Sequence, residues 1–445
     1  MSRIESLVLC GARLLGGGLL LSLLAACSSV ALKPDPVPAV APSAASQSPA
    51  APSGSSKQTL SAASADEAPR TDFAAWLAGF RRRALLAGMS EATLDRALDG
   101  VQYLPQLIEL DRAQPEFNRP VWAYLDRAVS PQRIARGQDR LQEVRPQADA
   151  AAERYGVPAT VLAAIWGMES DFGANYGQTP VIDALATLAF EGRRGAWAEG
   201  ELLAALKILQ NGDIDRPHMV GSWAGAMGQT QFMPTVFLAY AVDADGDGRR
   251  DIWGSMADVM ASTANFLAHS GWQPGQPWGL EVQLPPGFDP GRANGEGREG
   301  RQTAEQWAAE GVRSVDGSPL PAMPDCGLLL PAGVRGPAFL VGANFRAILR
   351  YNNSINYALG VGLLAQALAG GGAVQAPWPR ELQPLGRSQM KALQVRLNQL
   401  GFDTGVPDGL MGPATRAGLR RYQRSVGLPA DGFADQELLD RLLAP

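Results

Sequence analysis

Histidine and cysteine are nearly absent: 445 residues hold two of the first and three of the second. A zinc site closed by Cys and His would need almost all of them, and their spacing fits no ligand pattern. His218 and His269 have no G-x-S-x-G partner, which excludes the serine-hydrolase arrangement. Charge is scarce too, at 19% of residues with a net charge of −5, so the chain carries no electrostatic footprint for nucleic acid. What remains is long and 46% hydrophobic, enough for about two or three domains with real cores.

Arg3 and Arg13 precede an apolar stretch from Leu14 to Ala26 that is too short to span a bilayer and ends in small residues. Residues 1–27 therefore read as a secretory signal. The stretch closes Leu24-Ala25-Ala26-Cys27-Ser28, which resembles a bacterial lipobox. The resemblance implies cleavage before Cys27, its lipidation, and, from Ser28, sorting to the periplasmic face of the outer membrane. Acyl chains anchor firmly because each buried methylene contributes about 0.8 kcal/mol. An ordinary signal with an incidental Cys is the alternative. Cys10 and Cys27 belong to the signal, so Cys326 stands alone in the mature body and no disulfide is available. Followed by Gly327-Leu328-Leu329-Leu330, it reads as a small core residue.

Residues 28–70 form a tether. Ala, Ser and Pro fill 28 of positions 28–69 and none is aromatic, so the segment cannot bury enough apolar surface to offset its ordering entropy. A mainly α (α+β) body follows over 71–370. Phe73, Trp76, Leu77 and Phe80 recur at helical spacing, as do Leu94 with Leu98 and Leu202, Ala205, Leu206 and Leu209. Strand-like stretches occur only in the middle, at Trp278–Leu284, Gly327–Leu330 and Ala338–Val341, predicting a small inserted β-sheet. A linker over 371–384 leads to a three-helix module at 385–445. There Met390, Leu393, Leu397 and Leu400 make one helix face and Leu419, Tyr422 and Val426 another. Each of these helices precedes an Asp-Gly turn, Asp408-Gly409 and Asp431-Gly432, a near-repeat.

The stretch Pro158–Gly173 can carry chemistry. Pro158 suits a helix start and Gly173 a stop. Leu162, Ile165, Trp166 and Glu169 fall on one stripe, so the Glu169 carboxyl is expected to be desolvated near a helix C-terminus. Both conditions disfavour the anion and raise its pKa, as protonation of a glycosidic oxygen requires. A solvated Glu closing a helix before Ser170-Asp171 is the plainer alternative. Two other stretches offer suitable neighbours. Gly221–Pro234 combines small residues with the neutral hydrogen-bonding Ser222, Gln229 and Gln231, and 350–358 groups Tyr351, Asn352 and Tyr357.

These segments, WGMESDFG, DALATLAFEGRR, GSWAGAMGQTQFMP, AVDADGDGRRDIW, ANFLAHSGW and RYNNSINYALG, occur in one order and resemble the lytic murein transglycosylase B family from about Phe73 to Ala369. The resemblance implies a lysozyme-like helical catalytic domain that acts on the glycan strands of peptidoglycan with no cofactor. It implies Glu169 as the single catalytic carboxyl, acid then base, with cleavage between N-acetylmuramic acid and N-acetylglucosamine and closure of a 1,6-anhydro ring. Tyr124, Ser222, Met227, Gln231, Tyr351, Asn352 and Tyr357 match the family's substrate-contacting positions. Phe266 stands where some members carry Tyr, so one hydroxyl contact is missing. Asp171 reads as structural, although a lysozyme-type hydrolase would use it to help a water. A wall-binding lipoprotein without catalysis is the reading from another class.

Asp243, Asp245, Asp247, Arg249 and Asp251 fall at positions 1, 3, 5, 7 and 9 of a calcium-loop pattern with Gly248 and Gly246 between them. Position twelve is Gly254, where a bidentate carboxylate is expected, and Asp258 lies four residues further. Structural calcium, a borrowed ligand and a plain polar turn all stay open. Gly295–Gly300 spells G-x-G-x-x-G but does not directly follow a strand pattern, so a dinucleotide site is discounted. In the last unit, LQVRLNQLGF, PDGLMGPATRAGLRRYQ and GLPADG resemble the peptidoglycan-binding module of cell-wall enzymes; a helical dimerisation unit is the alternative.

Overall fold

The computed structural model describes residues 67–112, 120–191, 194–293, 297 and 300–444. The signal, Cys27, most of the tether and most of Gly295–Gly300 lie outside the described residues. The first helix, Glu67–Leu86, starts inside the range read as tether. Phe73, Trp76 and Phe80 stack along it, with centroid separations of 5.9 and 5.6 Å.

At the centre of the helical body is the Ala159–Ser170 helix. Pro158 stands just before its first turn, and Asp171 caps its end in the left-handed conformation. The sequence predicts an amphipathic stripe; the structure buries ten of the twelve residues, so the helix has no solvated face. It is packed by the helices Pro131–Glu143, Arg145–Tyr155, Met256–His269 and Ile355–Leu368. A helix apolar all round belongs inside a core. Gly167 makes room for the Phe172 ring that folds back on the helix from just beyond its end: a Cβ there would sit 2.5 Å from that ring.

The inserted sheet is antiparallel, ordered Arg313–Ser314, Gly279–Gln283, Ala338–Val341, Gly327–Leu329. Its apolar runs are explained by burial on both faces. Leu328, Ala338 and Leu340 face a local core with Trp307, Met323 and Cys326, while Leu329, Phe339 and Val341 join the main helical core. Burial pushes the Cys326 thiol up to about 12, and Sγ lies 3.2 Å from the Gln302 carbonyl, as an inert core thiol should. The expectation of strands only in the middle is corrected by a second pairing, Thr179–Pro180 with Val220–Gly221. Two-residue strands are too short to leave a periodic signal.

The stretch 371–384, read from composition as a separating linker, is pinned along its length. The Glu281 carboxylate accepts from the Gln375 and Ala376 amides at 2.7 Å each. Trp378 stacks on Phe339, and Arg380 makes two bonds of 2.7 and 2.9 Å to Asp126. It leads to three helices, Arg387–Gln399, Pro413–Ser425 and Gln436–Leu443, around Leu393, Leu397, Leu419, Tyr422 and Leu439. Leu400, assigned to the inner face, is 43% exposed because it caps its helix beyond the last packed turn.

Candidate active site

Glu169 occupies the last turn of its helix, only 9% exposed. The Tyr357 hydroxyl donates to its Oε1 at 2.6 Å. Burial raises the Glu169 carboxyl to about 7, and the Tyr357 hydrogen bond opposes part of the rise. Tyr124, Tyr351 and Tyr357 all feel its charge: burial lifts each phenol well above its usual range, and the Glu169 anion adds to the lift. Four sequence-predicted residues are therefore brought into one electrostatic neighbourhood. It holds a carboxyl able to lose or keep a proton near neutrality among groups able to bond a polar ring.

Asp171, two residues on, is engaged elsewhere. It forms ion pairs with Arg136 and Arg133. Among the described residues, the non-glycine positions with left-handed backbone are Asp171, Phe172 and Gln231 (φ 50°, 60° and 53°). Such conformations persist where surrounding contacts over-determine them, and all three lie in the stretches that sequence reading singles out.

The Gly221–Pro234 stretch forms a wall of interlocked turns. The Ser222 hydroxyl accepts from the Ala226 amide at 3.1 Å, and the buried Met227 donates its amide to the Phe232 carbonyl at 2.8 Å. Gln231 donates Nε2 to the Tyr176 and Gly228 carbonyls, both at 2.9 Å. Tyr351 donates to the Thr230 carbonyl at 2.7 Å, joining this wall to the Ala343–Tyr351 helix. Asn352 is buried beside it. Phe266 meets the Tyr351 ring edge-on at 4.9 Å, so its role is to hold that ring rather than to offer a hydroxyl.

Gln229 is the residue that sequence reading noted but did not assign. Its Oε1 accepts from Trp166 Nε1 at 2.8 Å, its Nε2 donates to the Trp253 carbonyl at 2.7 Å, and its amide donates to the Ile252 carbonyl at 2.9 Å. It ties the Glu169 helix to the end of the acidic loop. A Gln among Gly and Thr carries no signal of this; Trp166, fixed one turn before Glu169 and needing a buried acceptor, is the only hint.

Carboxylate oxygens of Asp243, Asp245 and Asp258 lie within 4.8 Å of one another. Asp258 comes from the first turn of the Met256–His269 helix, which Ser255 caps, and folds back to accept from the Ala244 and Asp251 amides at 2.7 Å each. Asp247 and Asp251 are outside this group: Asp247 accepts from the Arg249 amide, and Asp251 from Trp253 and Gly254. Arg249 is exposed. Counting to twelve misses Asp258 because a helix start, not loop spacing, delivers it. Burial lifts Asp258 to about 6, with the charges of Asp245 and Asp243 adding, so the carboxylates fit a bound cation.

A helical body with an inserted sheet, holding a buried carboxyl of raised pKa among tyrosines, has the lysozyme-like fold of the lytic transglycosylases. The chain belongs to the transglycosylase SLT domain family, whose model matches residues 72–366, and a peptidoglycan binding domain model matches residues 386–442. It is 32% identical over 296 residues to membrane-bound lytic murein transglycosylase B of Escherichia coli K12, covering 65% of this chain and 79% of that protein. It is also similar to SltB3 of Pseudomonas aeruginosa in complex with NAG-anhNAM-pentapeptide. That match has 52% identity and a TM-score of 0.81 over 84% of this chain and 99% of the other. The Escherichia coli lytic transglycosylase Slt35 in complex with calcium superposes with a TM-score of 0.56 at 30% identity, over 68% and 94% of the two chains.

Proposed function

We propose that this lytic transglycosylase cleaves the β-1,4 bond between N-acetylmuramic acid and N-acetylglucosamine in peptidoglycan, with Glu169 as its one acid and base. The observation that carries the reading is the buried Glu169 carboxyl, hydrogen-bonded by Tyr357 and held near pH 7. Protonated, it gives its proton to the glycosidic oxygen as the bond to C1 breaks. The resulting carboxylate takes the proton of the muramoyl C6 hydroxyl as that oxygen bonds to C1. The acid is regenerated, a 1,6-anhydro end forms and no water is consumed. Tyr124, Ser222, Met227, Gln231, Tyr351, Asn352 and Tyr357 are assigned to the saccharide walls. The ion pairs that occupy Asp171 argue against a hydrolase in which it activates water.

Mass analysis of digested wall tests this: transglycosylase ends are lighter by one water than hydrolase ends, and hydrated ends alone would overturn the reading. The proton requirement adds a second expectation. Rate falls as pH rises through the Glu169 pKa, because the acid form starts the reaction. Tyr357→Phe removes the bond that favours the anion, so the alkaline limb of the kcat profile should move to higher pH. A shift to lower pH, or no shift, contradicts the assigned roles.

Lipidation at Cys27 is the proposed anchor at the periplasmic face of the outer membrane. Calcium is assigned a structural role on Asp243, Asp245 and Asp258, outside the chemistry. At a hundredfold excess over Kd, calcium should add about 2.7 kcal/mol, raising Tm by roughly 3 °C for a chain of this size. Scanning calorimetry with and without the ion reads the shift, and Asp258→Asn should remove most of it.

A further inference from the structure

The C-terminal module contains the same hydrogen-bonded device twice. In the first copy Gln394 Nε2 donates to Asp408 Oδ1 at 3.0 Å and to the Leu410 carbonyl at 3.0 Å. The Gly409 amide donates to Gln394 Oε1 at 2.7 Å, and the Leu410 amide to Asp408 Oδ1 at 2.9 Å. In the second, Gln423 Nε2 donates to Asp431 Oδ1 at 2.8 Å and to the Phe433 carbonyl at 3.3 Å. The Gly432 amide donates to Gln423 Oε1 at 2.8 Å, and the Phe433 amide to Asp431 Oδ1 at 2.9 Å. Both glycines have left-handed backbone (φ 78° and 72°). An arginine seven residues before each glutamine, Arg387 or Arg416, lies against the glycine. Two loops so alike present the same groups outward.

Their surroundings differ. The second loop has an occupant, the Gly333–Arg335 turn of the catalytic body. The Val334 amide donates to the remaining oxygen, Asp431 Oδ2, at 3.0 Å, and Gly333 brings its backbone so close that a Cβ there would lie 2.5 Å from Asp431 Oδ2 and 2.9 Å from Phe433. Arg335 reaches Asp435 at 2.8 Å. This loop thus holds a piece of peptide through one backbone N–H and a close approach of glycine backbone to Phe433. In the first loop Val406 is 83% and Leu410 44% exposed, and among the described residues Asp408 Oδ2 accepts no hydrogen bond. Gly412 stands where the second copy has Asp435, so no cation partner is called for.

We infer that the Val406–Leu410 loop is a peptide-binding site whose occupant is the stem peptide of peptidoglycan, an amide N–H bonding Asp408 Oδ2 and small side chains packing on Val406 and Leu410. This site rests on the peptidoglycan function proposed above and names the part of the polymer that the module grips. A stem peptide fits because it offers backbone amide donors like the Val334 amide that fills the second loop, with alanine methyls beside them, whereas the N-acetyl amides of the glycan stand singly on rings surrounded by hydroxyls.

The test uses the full mature chain carrying Glu169→Gln, with free synthetic stem pentapeptide as the probe. Calorimetric titration should give saturable binding, and hydrogen exchange should slow across residues 402–411. Leu410→Asp and, separately, Val406→Asp should each weaken binding at least tenfold. Val406 is exposed enough that its change leaves folding intact. Binding unchanged in both variants, no binding of the peptide, capture of peptide-free glycan alone, or self-association through this loop would each overturn the inference. No readout involves bond cleavage, so such a failure leaves the assignment of Glu169 untouched.

Discussion

Glu169→Gln is expected to lower release of anhydro-ended products from purified wall by about 10³-fold, within the range that loss of a positioned general acid and base gives. Gln keeps the shape and an acceptor for the Tyr357 hydroxyl, so the loss is of a proton and not of a fold. The same variant should be more stable than the parent at pH 8. In the folded chain the carboxyl holds its proton up to about pH 7, against 4.5 for a free side chain. The folded state therefore binds more protons than the unfolded state between these values, and stability falls as pH rises through that window. The difference is on the order of 3 kcal/mol, and glutamine, neutral throughout, escapes it. Denaturant titrations at pH 4.5 and pH 8 should show the variant's advantage only at the higher value. A variant that keeps a tenth of the activity, or gains nothing at pH 8, would sink the assignment.

Trp166→Ala should have the largest effect on folding. The indole is 1% exposed, meets Phe172 edge-on at 5.6 Å and lies beneath Arg140 at 5.4 Å. Its removal empties the centre of the body at a cost of about 3–5 kcal/mol. Trp166→Phe retains much of the volume but orphans Gln229 Oε1, costing about 1–3 kcal/mol. Urea midpoints at constant slope separate the two. The phenylalanine variant should also lose activity at fixed foldedness, since Gln229 links the Glu169 helix to Ile252 and Trp253. If alanine costs under about 1 kcal/mol, this centre is not what holds the helix.

Much of this was legible in the chain because burial and helix position are local properties. Pro158, the apolar run to Glu169 and the glycine stop foretell a helix ending in a carboxyl, and the carboxyl is there. The motif GSWAGAMGQTQFMP is marked by its glycines. Tyr357 with Glu169, by contrast, joins residues 188 positions apart, a pairing that spacing alone does not contain; the family resemblance puts Tyr357 on the cleft wall without pairing it to Glu169. Asp258 lies outside the twelve-residue count because a helix start, rather than the loop, brings its carboxylate beside Asp243 and Asp245. The 371–384 stretch was misread because glycine and proline describe the backbone's freedom, whereas Trp378 and Arg380 determine where it sticks.

That pinned stretch makes the molecule a caliper rather than two beads on a string. With Gln375, Ala376, Trp378 and Arg380 all fastened to the catalytic body, the C-terminal module is held at a set span from Glu169.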